Sequence, residues 1–470
     1  MKGILKGKNI KVPAKASMWY VGASVLTKAT GLLFTPIFTR ILTGEEYGAY
    51  SLYMSYLGFF SLICAAGFSA GVIYKGFQDF STKKEVFLSA SLGFSVCFSS
   101  TICILLFAFS GVFGILPELS LILCFQLILD SAVGLSLMQK RYFYKYRAVT
   151  LVCVFESLAA PLFSLSLLFG TELGFAAKLW GLLIPALIAC SPLVIGIMKK
   201  SLRLFDKEIW TYLFKRSLPL FPSALSGAFS SSIASFVLVK IMGNSALAKY
   251  SVTHTVGIGL LFVVSALGAS LSPWITRKLS ENKRECVSEV VTVLFTLLSA
   301  ATLVLIALVP EVIAFLAPSE YGEAISAALP IALSTLPSFI TGISGGGLVF
   351  CDMGRRVSLS ATLGAVSNFL FCLILIPSLE YFGAGLALLL SGLISLSVSL
   401  CFLHKTEHFK IIGIRRVVAV FLLTAAFGVL ISLFYNYAPI RILLLLIPFT
   451  VFLRTLPSAL ALIREKRELT

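Results

Sequence analysis

The chain has 470 residues, of which 58% are hydrophobic and 13% charged, and its mean hydropathy is +0.98. These values leave too little polar surface for a soluble globular protein of this length, so the composition indicates an integral membrane protein. The net charge of +17 does not indicate a nucleic-acid partner, because the basic residues are spread over eight short segments and form no single basic patch.

The apolar runs of the chain predict an all-α membrane protein with about fourteen transmembrane helices. Each run is long enough to cross a bilayer core of about 30 Å as a helix with a rise of about 1.5 Å per residue. The predicted spans, in chain order, are Ser17–Thr39, Tyr47–Tyr74, Val86–Phe109, Leu119–Gln139, Ala148–Phe169, Gly174–Met198, Ser217–Met242, Tyr250–Ile275, Val287–Val309, Ala324–Phe350, Val357–Leu379, Phe382–Leu403, Val417–Tyr435 and Arg441–Ile463.

Basic residues alternate between the gaps that separate these spans. Of the 38 Lys and Arg residues, 32 lie in every second gap, and only 6 lie elsewhere. Because Lys and Arg are retained on the cytoplasmic side, this pattern predicts an even number of spans with both termini in the cytoplasm. Arg454 and Pro457 interrupt the last span, so a twelve-span protein with a peripheral C-terminal hairpin is the alternative.

A short motif recurs at an offset of 200 residues and suggests an internal repeat. Arg40-Ile41-Leu42 and Tyr50-Ser51 correspond to Lys240-Ile241-Met242 and Tyr250-Ser251. Six predicted spans separate the copies, so both copies cross the membrane in the same direction, as in two parallel bundles around a central cavity. The predicted domains are a six-helix bundle (1–198), a cytoplasmic amphipathic connector (199–216), a second six-helix bundle (217–403), and a helix pair with a cytoplasmic tail (404–470).

Charged residues within or near the spans are candidates for the lining of this cavity. Lys28 lies in the middle of the first span, where a lone ammonium costs about 2.5–3.5 kcal/mol on insertion scales, so it should face the interior of the bundle. A structural ion pair or a snorkelling side chain is the alternative. The other candidates, each of which can instead be an interfacial anchor, are Arg40, Lys240, Lys249 and His254.

Asp130 and Glu156 are the acids deepest in the predicted spans. Carboxylates at this depth commonly bind a proton or a coupling cation, and pairing with Lys28 is the equally weighted alternative. The sequence contains no arrangement typical of a catalytic, metal or cofactor site, and its ten cysteines occur singly, as buried apolar side chains do. We therefore predict a transporter with no metal or cofactor, and a coupling ion, H⁺ or Na⁺, that stays undecided.

Two patches of sequence resemble the polysaccharide flippases of the MOP exporter superfamily. The first comprises Gly31, Pro36, Arg40 and Leu42 through Gly48, and resembles the entrance region of these transporters. The second comprises Asp352 to Arg356, Asn368, Ile376-Pro377 and Gly383 to Ala387, and resembles their eleventh and twelfth spans. Lys28 stands where relatives that flip the peptidoglycan precursor carry Arg, so the resemblance implies a cationic contact to diphosphate.

The resemblance implies a bacterial inner-membrane flippase for undecaprenyl-diphosphate-linked oligosaccharides, such as O-antigen or capsule repeat units. Membrane lipid and polysaccharide-assembly proteins would be its partners. A multidrug or cation antiporter of the same superfamily would share the two-bundle plan and is the first alternative. An integral-membrane polysaccharide polymerase is the second, although it would need catalytic carboxylates in a large outer loop.

Overall fold

The computed structural model of the chain describes residues 11–66, 68–113, 115–281, 283–351, 353–406, 412–446 and 450, and every regular element in these ranges is a helix. Outside the described residues lie Lys2, Lys6 and Lys8, Asp352, Arg454, Pro457 and the end of the last predicted span. The chain divides into two compact units, Met1–Ser232 and Ile233–Thr470.

The first unit is built from long apolar helices and three shorter ones. α10 begins in this unit and ends in the second, and a 3₁₀ turn at Leu218–Leu220 precedes it. In chain order the helices are α1 (Lys11–Ile41), α2 (Gly44–Ala66), α3 (Ala70–Asp79), α4 (Lys84–Ala108), α5 (Ser110–Phe113), α6 (Pro117–Tyr142), α7 (Tyr146–Gly170), α8 (Phe175–Met198), α9 (Lys207–Ser217) and α10 (Phe221–Met242).

Small side chains allow these helices to pack closely. The hydroxyls of Ser99 on α4 and Ser131 on α6 lie 2.7 Å apart in a buried hydrogen bond. On α8, a Cβ at Gly181 would overlap Ser164 of α7, so the absence of a side chain there permits the two helices to meet. All ten cysteines are free thiols.

The second predicted span ends earlier than its apolar run suggests. The sequence predicts one span over Tyr47–Tyr74, but α2 ends at Ala66 and α3 is a separate short helix. α3 buries Ile73 and Phe77 and exposes Lys75. Because its buried and exposed residues lie on opposite sides, this helix is amphipathic and does not continue a span buried in hydrocarbon.

The connector helix α9 is bound to the first unit. Asp206 caps it by accepting hydrogen bonds from the main-chain N–H groups of Glu208 and Ile209. The indole N–H of Trp210 donates to the carbonyl of Ala90 on α4 at 3.0 Å, and a Cβ at Gly93 on the same helix would overlap the main chain of Leu204.

A second contact joins α9 to the end of α3. The hydroxyl of Tyr212 donates to Oδ2 of Asp79 at 2.9 Å. Burial, followed by this bond, raises the pKa of Tyr212 to about 12, while hydrogen bonds from Lys75 and Tyr212 lower the pKa of Asp79. The connector therefore has a fixed position on the first unit.

The second unit continues the same architecture. Two 3₁₀ segments interrupt it, one at Ile258–Leu260 between α11 and α12 and one at Ser319–Ala327 before α14, and residues 438–446 are also helical. Its remaining helices are α11 (Asn244–Gly257), α12 (Leu261–Ser280), α13 (Arg284–Leu316), α14 (Ala328–Phe350), α15 (Gly354–His404) and α16 (Ile414–Leu433).

The described helices agree with a multi-pass membrane protein. By length and composition, 11 helical stretches of the described residues can cross a membrane. One of them, α15, consists of two helices joined at Glu380, whose φ of 49° breaks the helix between the eleventh and twelfth predicted spans. α1 and residues 438–446 coincide with the first predicted span and the start of the last. The choice between twelve and fourteen spans stays a prediction.

The two copies of the repeated motif lie at equivalent corners of their units. In the first copy α1 ends at Ile41 and α2 begins at Gly44, whereas in the second α10 ends at Met242 and α11 begins at Asn244. The motif therefore marks a tight connection between consecutive helices in each unit.

Candidate functional site

The cations that the sequence predicts as candidates for the cavity lining occupy separate positions. Lys28 and Arg40 are exposed on α1, twelve residues and thus about 18 Å apart along the helix, and Arg40 Nη1 donates to the carbonyl of Pro36 at 2.9 Å. Lys240 is exposed in the last turn of α10. Within the first unit, the structure does not bring Lys28 and Arg40 together.

The two nominated residues on α11 have partners in the second unit. Lys249 Nζ lies 2.7 Å from Oε2 of Glu323, which joins α11 to the 3₁₀ segment before α14. The ring of His254 lies 5.5 Å from that of Tyr250, one helical turn away. These contacts hold both side chains in place on α11.

The two nominated acids lie near each other in the first unit. Asp130 on α6 and Glu156 on α7 are half-buried and close enough for their charges to interact. The amide nitrogen of Gln126 donates to Oδ1 of Asp130 at 2.8 Å, and neither acid forms an ion pair with Lys28 among the described residues. The pairing alternative is therefore not the arrangement seen.

Two unsatisfied polar atoms accompany these acids. Oε1 of Gln126 and the hydroxyl of Tyr53 are buried without a hydrogen-bond partner among the described residues, and Tyr53 lies within electrostatic range of Asp130. A buried polar atom without a partner is energetically unfavourable, so such atoms commonly mark a place for water or an ion. Together the four residues form what we call the acid cluster: Tyr53, Gln126, Asp130 and Glu156. No group of three or more His, Cys, Asp or Glu in the described ranges has metal-site geometry.

Lys178, in the first turn of α8, is a candidate that was not predicted from the sequence. It is only 6% exposed. Its Nζ lies 3.5 Å from the ring centroid of Tyr50, 4.2 Å from that of Phe38 and 4.6 Å from that of Tyr47. These rings come from the end of α1 and the start of α2, so a buried ammonium lies in a three-ring aromatic cage at the α1–α2 corner.

A capping box fixes this corner. The main-chain N–H of Thr43 donates to Oε2 of Glu46 at 3.0 Å, and the N–H of Glu46 donates to Oγ1 of Thr43 at 3.3 Å. The same carboxylate reaches the start of α8, where Gly174 has a φ of 54° and no Cβ to meet Oε1. The capping box thus starts α2 and brings α8 against the corner.

Arg441, predicted from the sequence only as the start of a span, is the other buried cation among the described residues. It is 4% exposed and forms a two-point ion pair with Glu311 of α13, at 2.6 Å and 3.0 Å. The carbonyl of Ala307 accepts from the same guanidinium at 2.5 Å. Its charge is therefore neutralised, which indicates a structural role.

The positions of Lys178 and Arg441 in the sequence already set them apart from most other basic residues. They are two of the six basic residues outside the basic segments, and the other four are Lys28, Arg40, Lys240 and Lys249. A cation outside the basic segments needs a local explanation wherever it occurs, because topology does not account for it.

Comparisons with known proteins agree with this architecture. A family model described as polysaccharide biosynthesis protein matches residues 14–279. The succinoglycan biosynthesis transport protein ExoT of Rhizobium meliloti (strain 1021) is 26% identical over an alignment of 378 residues that covers 76% of this chain and 75% of that protein.

Solved structures share the fold at low sequence identity. The lipid II flippase MurJ in an inward closed conformation has a TM-score of 0.68 and 16% identity, over 94% of this chain and 99% of that one. An inward-facing multidrug resistance MATE family transporter of the MOP superfamily has a TM-score of 0.65 and 13% identity, over 85% and 95%. The chain therefore has a MurJ-like and MATE-like fold.

Proposed function

Because this chain belongs to the polysaccharide biosynthesis protein family, we propose that it is a flippase that moves polyprenyl-diphosphate-linked oligosaccharides across the bacterial inner membrane. The family match over residues 14–279 is the observation that carries the proposal. A multi-pass helical protein of polysaccharide biosynthesis is suited to moving a membrane-bound intermediate, and its relative ExoT is named a transport protein. The cargo would be an O-antigen, capsule or similar repeat unit.

The proposed mechanism is alternating access without covalent chemistry. The sugar and diphosphate cross in a polar cavity while the polyprenyl chain stays in the bilayer. Transport needs two states of the protein that contact the cargo differently, because a ligand shifts a conformational equilibrium only through such a difference. The proposed cationic lining comprises Lys28, Arg40, Lys240, Lys249 and His254.

We assign coupling to the acid cluster. Asp130 and Glu156 would take up H⁺ or Na⁺, and the unsatisfied oxygens of Gln126 and Tyr53 supply further polar contacts for the ion or its water. Driven transport requires that the two states of the protein bind the coupling ion with different affinities, and a carboxylate that binds the ion in only one state would meet this requirement.

The proposed topology places both termini and the connector 199–216 in the cytoplasm. The concentration of Lys and Arg in alternate gaps supports this orientation. A single cysteine at Lys207 in a cysteine-free background should resist a membrane-impermeant maleimide in intact cells and react after the membrane is opened. Labelling in intact cells would reverse the topology.

Reconstitution tests the function directly. Purified protein in liposomes should make a fluorescent polyprenyl-diphosphate oligosaccharide accessible to a sugar-oxidising reagent outside, with the lipid recovered covalently unchanged. Protein-free liposomes, and liposomes with a heat-denatured sample, serve as controls. In cells, loss of the protein should cause lipid-linked repeat units to accumulate and surface polysaccharide to disappear.

The second candidate is a multidrug or cation antiporter. The MATE-like fold and the acid cluster favour it, because ion-coupled export also needs membrane carboxylates. Liposomes that leave the lipid-linked sugar inaccessible but move small organic cations against an ion gradient would replace the flippase with this alternative. A polymerase would instead lengthen the sugar, which recovery of the unchanged lipid excludes.

A further inference from the structure

The buried amine of Lys178 has no carboxylate partner in the part of the chain that the structure describes. Within the ranges that the structure describes, no carboxylate lies within 4.0 Å of its Nζ, and its recorded contacts are the three aromatic rings. Glu46, which reaches the start of α8, bonds Thr43 and forms no ion pair with Lys178. The amine of Lys178 is therefore buried without an acidic partner among the described residues.

Packing alone does not explain a lysine at this position. Cation–π contacts of about 0.5–2 kcal/mol each make the buried ammonium tolerable, but they leave its charge in place. A methionine is of similar length and can contact the same rings without an ion to desolvate. Replacing buried ions by apolar residues of similar volume is often neutral or stabilising.

Two other cations of the chain each have a carboxylate partner. Arg441, equally buried, forms the two-point pair with Glu311. Lys249, at the corresponding corner of the second unit, pairs with Glu323 at 2.7 Å. Lys178 differs from both because no carboxylate in the described part of the chain pairs with its amine, which leaves that amine available to an anion.

We infer that Lys178 is an anion-binding residue that takes a phosphate oxyanion, with the aromatic cage holding the ammonium when the anion is absent. An ammonium donates up to three hydrogen bonds and suits the tetrahedral oxygens of phosphate as a point charge. A phosphate oxygen would replace the ring faces as its partner, and the low local dielectric strengthens the attraction.

The source of the phosphate is the diphosphate of the lipid-linked cargo, and this assignment rests on the proposed function. The headgroup of an ordinary anionic phospholipid offers the same chemistry. The two sources differ in the lipid that carries the phosphate, so binding experiments with defined lipids separate them.

The test measures the lipid-induced rise in Tm of the purified protein in neutral detergent. Wild-type protein should be stabilised by undecaprenyl diphosphate more than by undecaprenol, and the effect should weaken with added salt. Lys178→Met should raise the apparent Kd for undecaprenyl diphosphate by at least about 10-fold, the equivalent of about 1.4 kcal/mol, whereas Lys178→Arg should retain binding. Phosphatidylglycerol in place of undecaprenyl diphosphate identifies the second source if it stabilises the protein equally.

A variant of the cage should have the opposite effect on binding from that of Lys178→Met. Tyr50→Leu removes the nearest ring and keeps the ammonium, so it should preserve or tighten binding of undecaprenyl diphosphate. A merely structural Lys178 predicts instead that Lys178→Met and Tyr50→Leu both lower the ligand-free Tm and leave the lipid response of the folded protein intact. Arg441→Met is the matched buried-cation control and should lower the ligand-free Tm without changing the lipid response.

Two results would overturn the inference. One is an equal response of wild type and Lys178→Met to undecaprenyl diphosphate and to phosphatidylglycerol. The other is the absence of any phosphate-dependent response in the wild type. Flipping of the oligosaccharide lipid by the wild type is measured separately, so a failure of the anion site is distinguishable from a failure of the proposed function.

Discussion

The guanidinium of Arg441 is bound at two points by the carboxylate of Glu311, at 2.6 Å and 3.0 Å, and this pair ties the helical residues 438–446 to α13. Arg441 is 4% exposed, so Arg441→Met would leave Glu311 without its partner. Because the Glu311 side chain is itself 51% exposed, we expect a loss of about 1–3 kcal/mol in the free energy of unfolding.

Thermal denaturation in detergent measures this loss as a lower Tm. The double variant Arg441→Met with Glu311→Met should recover most of it, because no charge is then left unpaired. Additive losses in the two single variants and the double variant would contradict the assignment of Arg441 as a neutralised structural cation.

The bond between Tyr212 and Asp79 predicts how docking of the connector depends on pH. The pKa of Asp79 is lowered in the folded protein, so its contribution is present above its ordinary unfolded pKa of about 3.9 and is lost as pH falls through the lowered value. Docking should therefore be constant between about pH 5 and 9 and weaken below about pH 4. Hydrogen exchange of the α9 amides, corrected for intrinsic rates, measures it.

Tyr212→Phe tests the origin of this dependence. It removes one of the two hydrogen bonds that lower the pKa of Asp79, so the midpoint of undocking should move to higher pH. Tyr437→Phe, at a tyrosine that is 61% exposed, is the control and should leave the midpoint unchanged. An unchanged midpoint in Tyr212→Phe would show that Asp79 does not govern docking.

Lys28 should contribute positive potential to the transport cavity. Lys28→Ala is expected to lower the flipping rate by about 10-fold at nearly unchanged protein abundance, whereas Lys28→Arg should retain activity because the charge is preserved. The assay is the reconstituted flipping rate per mole of protein. A parallel fall in abundance and activity for Lys28→Ala would favour the structural alternative.

Asp130 should couple transport to an ion. Asp130→Asn keeps a hydrogen-bond acceptor beside Gln126 but removes the charge, so gradient-driven transport should lose its dependence on the H⁺ or Na⁺ gradient. Glu118→Gln, at an exposed acid in the first turn of α6, is the control. Wild-type gradient dependence in Asp130→Asn would remove this carboxylate from the coupling path.

Much of the fold could be predicted from sequence because the bilayer imposes simple rules on it. Length and apolarity located the membrane helices, and the repeated motif marked a helix corner in each unit. The separate helix α3 was missed because its apolar residues continue the run of α2 without a charged gap. The 3₁₀ turn at Ile258–Leu260 was missed because no proline or charge marks it.

The candidate site was less predictable because its contacts join distant parts of the chain. Asp130 and Glu156 could be predicted as candidates because both lie deep within apolar runs, and in the structure they lie near each other. The rings that surround Lys178 lie more than 100 residues upstream, so no local sequence spacing predicts this cage. Whether a lone cation has a counterion is visible only once the helices are packed.

The capping box of Thr43 and Glu46 bears on how the chain is recognised. These residues belong to the stretch that resembles polysaccharide flippases, yet their side chains fold back on the start of their own helix. A capping box stabilises the start of its helix and does not contact the cargo, so transporters of different sugars can share it. The stretch that indicates family membership therefore does not identify the transported molecule, whose recognition must depend on other side chains.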